Sequence, residues 1–167
     1  MGAWAPDHPR ILVTLLDGRF VPVVASLAGD ADGTVYNVNA DTVAEALAIA
    51  LRAHKLLFLT GAPGVLRDVH DPSTLVSFAD PDDLRSLMAS GSLMGGMRPK
   101  VEACIRAAMR GVERTHIIDG RAPDSILYEV FTGAGCGTMI VARKESAEAE
   151  AQAAQESFAV PADDASS

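Results

Sequence analysis

The stretch ADTVAEALAIALRAHKLLFLT (residues 40–60) decides the fold, because a helical pattern runs directly into a strand pattern. Val43, Leu47 and Leu51 recur at helical spacing among alanines, which predicts a helix with one apolar face. KLLFLT, which follows, is a compact apolar run typical of a buried strand. A helix that leads into a buried strand is the repeating unit of α/β proteins.

The same alternation extends in both directions along the chain. Residues 7–18 predict a short helix capped by Asp7, and RFVPVVASLA (residues 19–28) predicts a buried strand of the parallel type. The polar run at residues 29–36 predicts a hairpin turn. Strands that alternate with helices predict a three-layer αβα fold with a mainly parallel sheet. Further helices are predicted within residues 80–91, 95–111 and 122–133, and further strands at residues 114–119 and 137–142.

Composition changes sharply near the carboxyl terminus. Residues 1–143 have the mixed apolar and charged make-up of one globular domain. Residues 144–167 are acidic and rich in Ala, Glu and Ser, without a strong apolar stripe. We expect this tail to be a frayed helix or disordered.

Charge and cysteine content exclude several classes of protein. The net charge of −8 argues against a nucleic-acid partner, because phosphate binding needs clustered cations. Cys104 and Cys136 form no CxxC pair, so no zinc site and no metal-ligating residues are assigned. Two free thiols fit a reducing cytosol, and no apolar run approaches the roughly 20 residues of a membrane span. We therefore expect a cytoplasmic protein with no membrane partner.

Ligands of parallel α/β sheets bind beyond the carboxyl ends of the strands. That rule marks the loop after KLLFLT (residues 55–60) and the loop after RTHIID (residues 114–119). It also marks the junction YNVNAD (residues 36–41), where polar side chains stand on alternate positions before a helix.

Five sequence blocks carry a family resemblance. They are YNVNADTVAEALA, KLLFLTGAPGVL, SGSLMGGMRPKVEA, THIIDGRAPDSILYEVF and GCGTMIV, in this order. Together they resemble the carboxyl-terminal, nucleotide-binding half of the acetylglutamate kinases, which belong to the amino-acid kinase family. The resemblance implies transfer of a phosphoryl group from ATP, with Mg²⁺, to the side-chain carboxylate of N-acetyl-L-glutamate in arginine biosynthesis.

The resemblance assigns the catalytic roles to Lys100 and Asp41. Lys100 would neutralise the charge of the transferring phosphoryl group, and Asp41 would fix the position of the lysine ammonium group. GGMRPK (residues 95–100) is a glycine-rich turn that enters a helix, so backbone N–H groups would add to the anion site. The alternative for Lys100 is a solvated lysine in a first helical turn.

The resemblance places Asn37 on the substrate carboxylate, with Asn39 beside it. If the segment is extended, Asn37, Asn39 and Asp41 share one face of a strand and line one site. The alternative is that Asn39 or Asp41 caps the following helix and Asn37 satisfies a turn.

The loop TGAPGVL (residues 60–66) follows a buried strand, and the resemblance implies that it binds the nucleotide. Glycines let a backbone approach phosphates or ribose closely. Many relatives have an aspartate where this chain has Gly61, so this chain lacks that side chain in the loop. The residues assigned to nucleotide binding are Thr60, Gly61, Gly64, Leu66, Gly95, Gly96 and Met97.

A regulatory pocket is implied by His116, Glu129 and Gly135, which match the positions that line an arginine pocket in arginine-inhibited relatives. Glu129 would pair with the guanidinium group. The alternative is a histidine at a strand end and a solvated glutamate on a helix.

The family's amino-terminal motifs are not found in this sequence: a lysine followed by a glycine pair, a second glycine-rich loop and a substrate-binding arginine. We therefore expect an exposed strand edge or apolar face, and a partner that is a second copy or a complementary amino-terminal half. Two alternative functions stay open: a non-catalytic module that binds nucleotide or arginine, and a kinase for another acylated amino acid.

Overall fold

The computed structural model describes residues 9–93, 95–133 and 135–142. The predicted tail at residues 144–167 and the predicted cap Asp7 lie outside these residues. The described part consists of α1 (Arg10–Asp17), β1 (Leu27–Gly29), β2 (Val35–Asn37), α2 (Ala40–Ala50), β3 (Lys55–Thr60), a 3-10 turn (Pro72–Thr74), β4 (Phe78–Ala79), α3 (Pro81–Ala89), α4 (Met97–Met109), β5 (Arg114–Asp119), α5 (Ser125–Phe131) and β6 (Thr138–Ile140).

The main sheet has the strand order β3-β5-β6-β4. Strands β3 and β5 are parallel, with Thr60 opposite Asp119 at their carboxyl ends. Strands β4 and β6 are also parallel, whereas β5 and β6 are antiparallel. The predicted α/β class is confirmed, and the sheet is mixed at one strand pair. The loops that follow β3 and β5 therefore leave the same edge of the sheet.

Helices lie on both faces of this sheet. The Thr115 hydroxyl bonds the Cys104 thiol of α4, whereas the next residue, His116, contacts Glu129 of α5. Because neighbouring residues of a strand point to opposite faces, α4 and α5 lie on opposite sides of β5. Helix α2 packs against α4 and β3 on the α4 side, so the three layers are α5, the sheet, and α4 with α2.

The hydrophobic core lies between the sheet and the helices α2, α3 and α4. It is built mainly from small aliphatic side chains, as the low aromatic content predicts. Its fully buried members include Val65, Leu84, Val101, Val112, Ile117 and Ile140. Helix α3 begins as predicted, since the Asp80 side chain accepts the N–H groups of Asp82 and Asp83 and Pro81 occupies the first position.

The prediction of a buried strand at residues 19–28 is wrong. Only Leu27–Gly29 forms a strand, and it pairs with β2 in a separate antiparallel hairpin. Phe20, Val21 and Val23 are exposed. The physical reason is that an apolar run becomes a buried strand only where another layer covers it, and no described residue covers this one.

Residues 9–37 are called the amino-terminal segment below. They contain α1, in which no residue is buried, and the β1–β2 hairpin. The predicted hairpin turn is confirmed: the Asp30 carboxylate accepts the N–H groups of Asp32 and Thr34 and the hydroxyl of Tyr36. Among the described residues, no helix has the length and apolar content needed to cross a membrane.

Candidate active site

Helices α2 and α4 bring Asp41 and Lys100 together. The Lys100 Nζ atom lies 2.9 Å from both carboxylate oxygens of Asp41, and both side chains are largely shielded from solvent. The same ammonium group stands 5.9 Å from the ring centroid of Phe58 in β3. The carboxylate and the ring hold the lysine side chain in one place near the carboxyl half of β3.

Local sequence explains how each helix starts here. The Asn39 side chain accepts the N–H groups of Asp41 (2.8 Å) and Thr42 (3.3 Å), so Asn39 is the N-cap of α2. Gly95 takes a left-handed φ of 59° and Gly96 is the N-cap of α4 without any side-chain cap. No described side chain caps the first N–H groups of α4, and Lys100 stands one turn further on.

The prediction that Asn37, Asn39 and Asp41 share one face of a strand is wrong. The extended backbone ends at Asn39, and Asp41 already belongs to the first turn of α2. Strand alternation therefore does not place Asp41 beside the two asparagines. Asn39 has the capping role that was the alternative interpretation. Asn37 ends β2 and is exposed, and its side chain has no protein partner in the part of the chain that the structure describes.

A second ion pair joins the same two helices and was not predicted. Arg106 of α4 binds the buried Glu45 of α2 through Nε at 2.9 Å and 3.0 Å and through Nη2 at 2.7 Å. Glu45 lies one turn after Asp41, and Arg106 lies six residues after Lys100. An acidic i, i+4 pair on α2 is equally compatible with a solvated helix face, so the sequence alone carried no specific signal for this pair.

The loop after β3 is closed on one side by β6. The Thr60 hydroxyl accepts the Ala62 N–H at 3.0 Å, and Val65 donates its N–H to the Thr138 hydroxyl at 2.8 Å. A Cβ atom at Gly64 would lie 2.6 Å from the Thr138 Oγ1 atom, so only glycine fits there. Leu66 forms a bridge to Leu75 on the far side of the loop. Residues 60–66 therefore have a fixed backbone at the carboxyl edge of the sheet.

The open side of this loop faces an arginine that was not predicted as a site residue. Arg121 follows β5 and binds Asp119 through Nε at 3.0 Å and Nη2 at 2.9 Å. Hydrogen bonds from the Arg121 side chain and backbone lower the pKa of Asp119 to about 2. A Cβ atom at Gly61 would lie 3.8 Å from the Cζ atom of Arg121.

The three predicted effector residues also come together. The buried His116 Nδ1 atom lies 2.7 Å from the Glu129 carboxylate, whose other oxygen accepts the N–H groups of Cys136 and Gly137. Gly135 has a φ of 62°, and a Cβ atom there would lie 3.2 Å from Glu129. The alternative of a strand-end histidine and a solvated glutamate is wrong, because both side chains are buried.

The electrostatics of this cluster are unusual. Burial raises the pKa of Glu129, but the hydrogen bonds from His116 and from the Cys136 N–H outweigh it and lower the pKa to about 2. The Nε2 atom of His116 is buried without a hydrogen-bond partner in the described part of the chain.

Other chemistry is limited in the residues that the structure describes. Within 9–93, 95–133 and 135–142, no three His, Cys, Asp or Glu side chains are grouped to hold a metal ion. Burial raises the pKa of the Cys104 thiol to about 12, so this cysteine is a packing residue and not a nucleophile.

Comparison with protein families gives one clear match. Residues 7–119 match the model of the amino acid kinase family. The chain is 49% identical over 142 residues to an acetylglutamate kinase of Acaryochloris marina, which covers 85% of this chain and 50% of that protein. It is 49% identical to an acetylglutamate kinase of Prochlorococcus marinus, with 86% of this chain and 47% of that protein covered. The chain thus spans about half the length of these curated relatives.

Solved structures show the same fold. An N-acetylglutamate synthase from Neisseria gonorrhoeae, complexed with coenzyme A and L-arginine, matches with a TM-score of 0.74 and 27% identity over 80% of this chain and 30% of that one. A carbamate kinase from Giardia lamblia bound to AMP-PNP matches with a TM-score of 0.61 and 21% identity over 79% of this chain and 43% of that one. The second likeness concerns the fold alone.

Proposed function

The chain belongs to the amino acid kinase family, and from this premise we propose that it is the nucleotide-binding half of an acetylglutamate kinase. The reaction transfers the γ-phosphoryl group of ATP to the side-chain carboxylate of N-acetyl-L-glutamate. Relatives named acetylglutamate kinase that are 49% identical support this substrate. The proposed setting is arginine biosynthesis in the cytoplasm.

The observation that carries the proposal is the Asp41–Lys100 pair. Phosphoryl transfer needs a positioned cation to meet the charge that spreads over the transferring group. Lys100 is such a cation: both oxygens of Asp41 hold it, and it stands in the first turns of α4 beyond the Gly95–Gly96 start. Met97 is the first residue of α4, and its side chain packs against the hydrophobic core, which anchors the start of the helix.

The nucleotide is proposed to lie on the loop at residues 60–66 and against Gly95 and Gly96. The rigid backbone of the loop and the uncapped N–H groups of α4 are both suited to phosphate oxygens. Magnesium is proposed to arrive as part of the ATP–Mg²⁺ substrate, held by the phosphates, since the described residues offer no cluster that would hold it alone. Asn37, which is exposed and unpartnered within the described residues, is proposed to bind the substrate carboxylate, with Asn39 acting mainly as a cap.

Activity is proposed to need a second polypeptide that covers the amino-terminal segment. The amino-terminal segment exposes apolar side chains that a folded protein normally covers. Its exposed large side chains are Ile11, Val13, Leu16, Phe20, Val21, Val23, Val24, Leu27, Val35 and Tyr36. The curated relatives are about twice as long as the matched region, and their additional half is the proposed cover. A second copy of this chain is the alternative cover.

L-arginine is proposed as an inhibitor that acts through His116, Glu129 and Gly135. Their contact in one buried cluster supports the proposal, as does a related solved structure that holds L-arginine. Both Glu129 oxygens already have protein partners, so a guanidinium group would have to replace at least one of those hydrogen bonds.

The test is formation of an acyl phosphate from N-acetyl-L-glutamate and ATP–Mg²⁺, trapped with hydroxylamine. The chain is assayed alone and with an added amino-terminal half taken from the Acaryochloris marina relative. We expect turnover with the added half, and a loss of about 100- to 1,000-fold in kcat for Lys100→Ala. Arg85→Ala is the matched control, because Arg85 of α3 contacts Asp82 and Met109, and Met109 lies at the opposite end of α4 from Lys100.

The outcomes separate the candidate functions. Binding of Mg-ADP without turnover in either assay would contradict the kinase and favour a non-catalytic nucleotide-binding module. Turnover with an acylated aminoadipate in place of N-acetyl-L-glutamate would move the proposal to a different acyl amino acid. Equal turnover of Lys100→Ala and the original chain would remove Lys100 from the site.

A further inference from the structure

We propose that Glu45 and Arg106 are positioning residues: their ion pair fixes the axial register of α2 against α4 and, through it, the place of the Lys100 ammonium group. This inference rests on the proposed role of Lys100 in phosphoryl transfer and deepens it. Glu45 and Arg106 act through the two helices and do not touch the substrate or the nucleotide.

The two ion pairs join the same helices in the same order. Asp41 and Glu45 are one turn apart on α2, and their partners Lys100 and Arg106 follow in the same direction on α4. The helices therefore run parallel, with the contacts spaced about 6 Å along the axis of α2 and about 9 Å along that of α4. Two contacts at different heights restrain the sliding of one helix along the other, which a single contact does not.

The Glu45–Arg106 pair is the stiffer of the two. Arg106 holds both carboxylate oxygens through Nε at 2.9 Å and 3.0 Å and through Nη2 at 2.7 Å, and the Glu45 side chain is 9% exposed. A planar guanidinium fork binds a carboxylate in a defined orientation, whereas the ammonium group of a lysine is a point charge on a flexible stem. The Asp41–Lys100 pair alone would therefore tolerate a shift between the helices, and the Glu45–Arg106 pair would resist it.

The start of α4, where Lys100 lies, has no side-chain cap of its own among the described residues. Its N-cap is Gly96, and Gly95 before it takes a left-handed φ of 59°. The residues that α4 buries are mostly small: Val101, Ala103, Cys104, Ile105, Ala107 and Ala108. Small side chains form shallow ridges, which resist sliding less than large interlocking ones. A buried ion pair that specifies register supplies the restraint that this packing lacks.

The experiment measures how readily the Lys100 amine reacts. The chain is treated with a trace of acetic anhydride, and mass spectrometry gives the acetylation rate of Lys100 relative to that of Lys55. Lys55 is a suitable internal reference, because it is partly buried and its Nζ atom donates to the Val130 carbonyl of α5, away from α2 and α4. Global unfolding raises both rates, whereas a loosened Asp41–Lys100 contact raises only the rate of Lys100.

Arg106→Met should raise the ratio of the two rates about tenfold, and Arg106→Lys, which keeps the charge but loses the fork, should raise it about threefold. If Arg106→Met fails to fold, both rates rise and Arg106→Lys decides the question. Arg85→Met is the control and should leave the ratio unchanged, because Arg85 of α3 contacts Asp82 and the far end of α4.

Turnover gives a second readout that a purely structural role would not produce. In the assembly with the added amino-terminal half, Arg106→Lys should lower kcat about tenfold and leave the KM for ATP within about twofold. A displaced ammonium group still attracts the bound phosphates, but it no longer meets the transferring group in the geometry that the transition state needs.

The results that would overturn the inference differ from those that would overturn the proposed function. An unchanged rate ratio in both Arg106 variants would remove the positioning role and leave the proposed function intact. An equal rise in the ratio for Arg85→Met, or an unchanged kcat of Arg106→Lys in an active assembly, would also overturn the inference. An inactive assembly together with a raised ratio would contradict the proposed function while supporting the positioning of Lys100.

Discussion

Two isoleucines show how differently two parts of this chain use the same side chain. Ile117 in the centre of β5 has no exposed surface, whereas Ile11 in α1 is 73% exposed. Ile117 belongs to a core closed by α2, α4 and three other strands, and Ile11 belongs to the amino-terminal segment, whose helix buries nothing. Apolar composition alone therefore does not make a core; a facing layer is also required.

The polar contacts of the two regions differ in the same way. In the core region, ion pairs join residues far apart in sequence, such as Asp41 with Lys100 and Glu45 with Arg106. In the amino-terminal segment, the Asp30 carboxylate bonds residues two to six positions away. The core region is held by tertiary contacts, and the segment is held by local ones.

Ile117→Ala should have the largest effect. Removal of three buried carbon atoms leaves a cavity in the sheet, and we expect a loss of about 3–4 kcal/mol of unfolding free energy. Ile11→Ala is the matched control and should change it by less than about 0.5 kcal/mol. Urea denaturation followed by circular dichroism measures both. A large effect of Ile11→Ala would show that α1 is packed in solution, which would contradict the difference drawn between Ile11 and Ile117.

Acid should act next most strongly, through Glu129. Its pKa is about 2 in the folded chain, below the ordinary value of 4.5, so its contribution is complete above pH 4.5 and is lost as the pH falls toward 2. We expect at most about 3 kcal/mol from this carboxylate. Unfolding free energies measured from pH 6 to pH 2.5 should fall less steeply for Glu129→Gln.

Asp30→Asn is the counterpart in the amino-terminal segment. Hydrogen bonds to Thr34 and Tyr36 also lower the pKa of Asp30, but its hairpin is exposed and separate from the main sheet. The acid dependence of global unfolding should therefore be the same with and without Asp30. A shift of the whole acid transition by Asp30→Asn would show that the hairpin unfolds together with the core.

Arg106→Met should cost about 2 kcal/mol of unfolding free energy, because it leaves the buried Glu45 carboxylate without its charged partner. Arg98→Met removes a comparable guanidinium from the exposed pair with Glu102 and should cost less than about 0.5 kcal/mol. Chemical denaturation at low and high salt distinguishes them, since only the exposed pair is strongly screened. Equal losses would mean that Glu45 is well solvated.

Val23→Ser should have the smallest effect on stability, below about 0.5 kcal/mol, since Val23 is 95% exposed. Its effect should appear instead in self-association, which the exposed apolar side chains of the amino-terminal segment promote. Sedimentation velocity over a range of concentrations should show smaller assemblies for Val23→Ser than for Val69→Ser, a substitution at an exposed valine outside the segment. A monomeric original chain would contradict the expected self-association.

The sequence predicts the elements that the folded chain itself completes. KLLFLT and RTHIID are strands over the predicted residues. RTHIID is buried on both faces along its centre, whereas in KLLFLT only Leu56 and Phe58 are buried and Leu59 is 49% exposed. The run at residues 19–28 has a similar pattern but no cover among the described residues, and the prediction of a buried strand failed there. The two-residue strand β4 is too short to show a hydrophobic pattern. The residue types of β6 do not indicate that it runs antiparallel to β5.

The candidate site was predictable where a residue has a family motif around it. Lys100 and Asp41 were predicted as partners, and the structure places them in contact. Arg121 and the Glu45–Arg106 pair were missed, because an arginine between ordinary loop or helix residues has no local signature. Their relevance comes from register and helix packing, which depend on the whole fold.

The distance along the chain between Asp41 and Lys100 has a consequence for the order of folding. The two residues are 59 positions apart, and β3, β4 and α3 lie between them. Closing such a long loop costs entropy that is repaid only when α2 and α4 dock, whereas the β1–β2 hairpin closes within a few residues. We therefore expect the lysine to reach its carboxylate after the hairpin has closed, so that the appearance of nucleotide binding during refolding would report that α2 and α4 have docked.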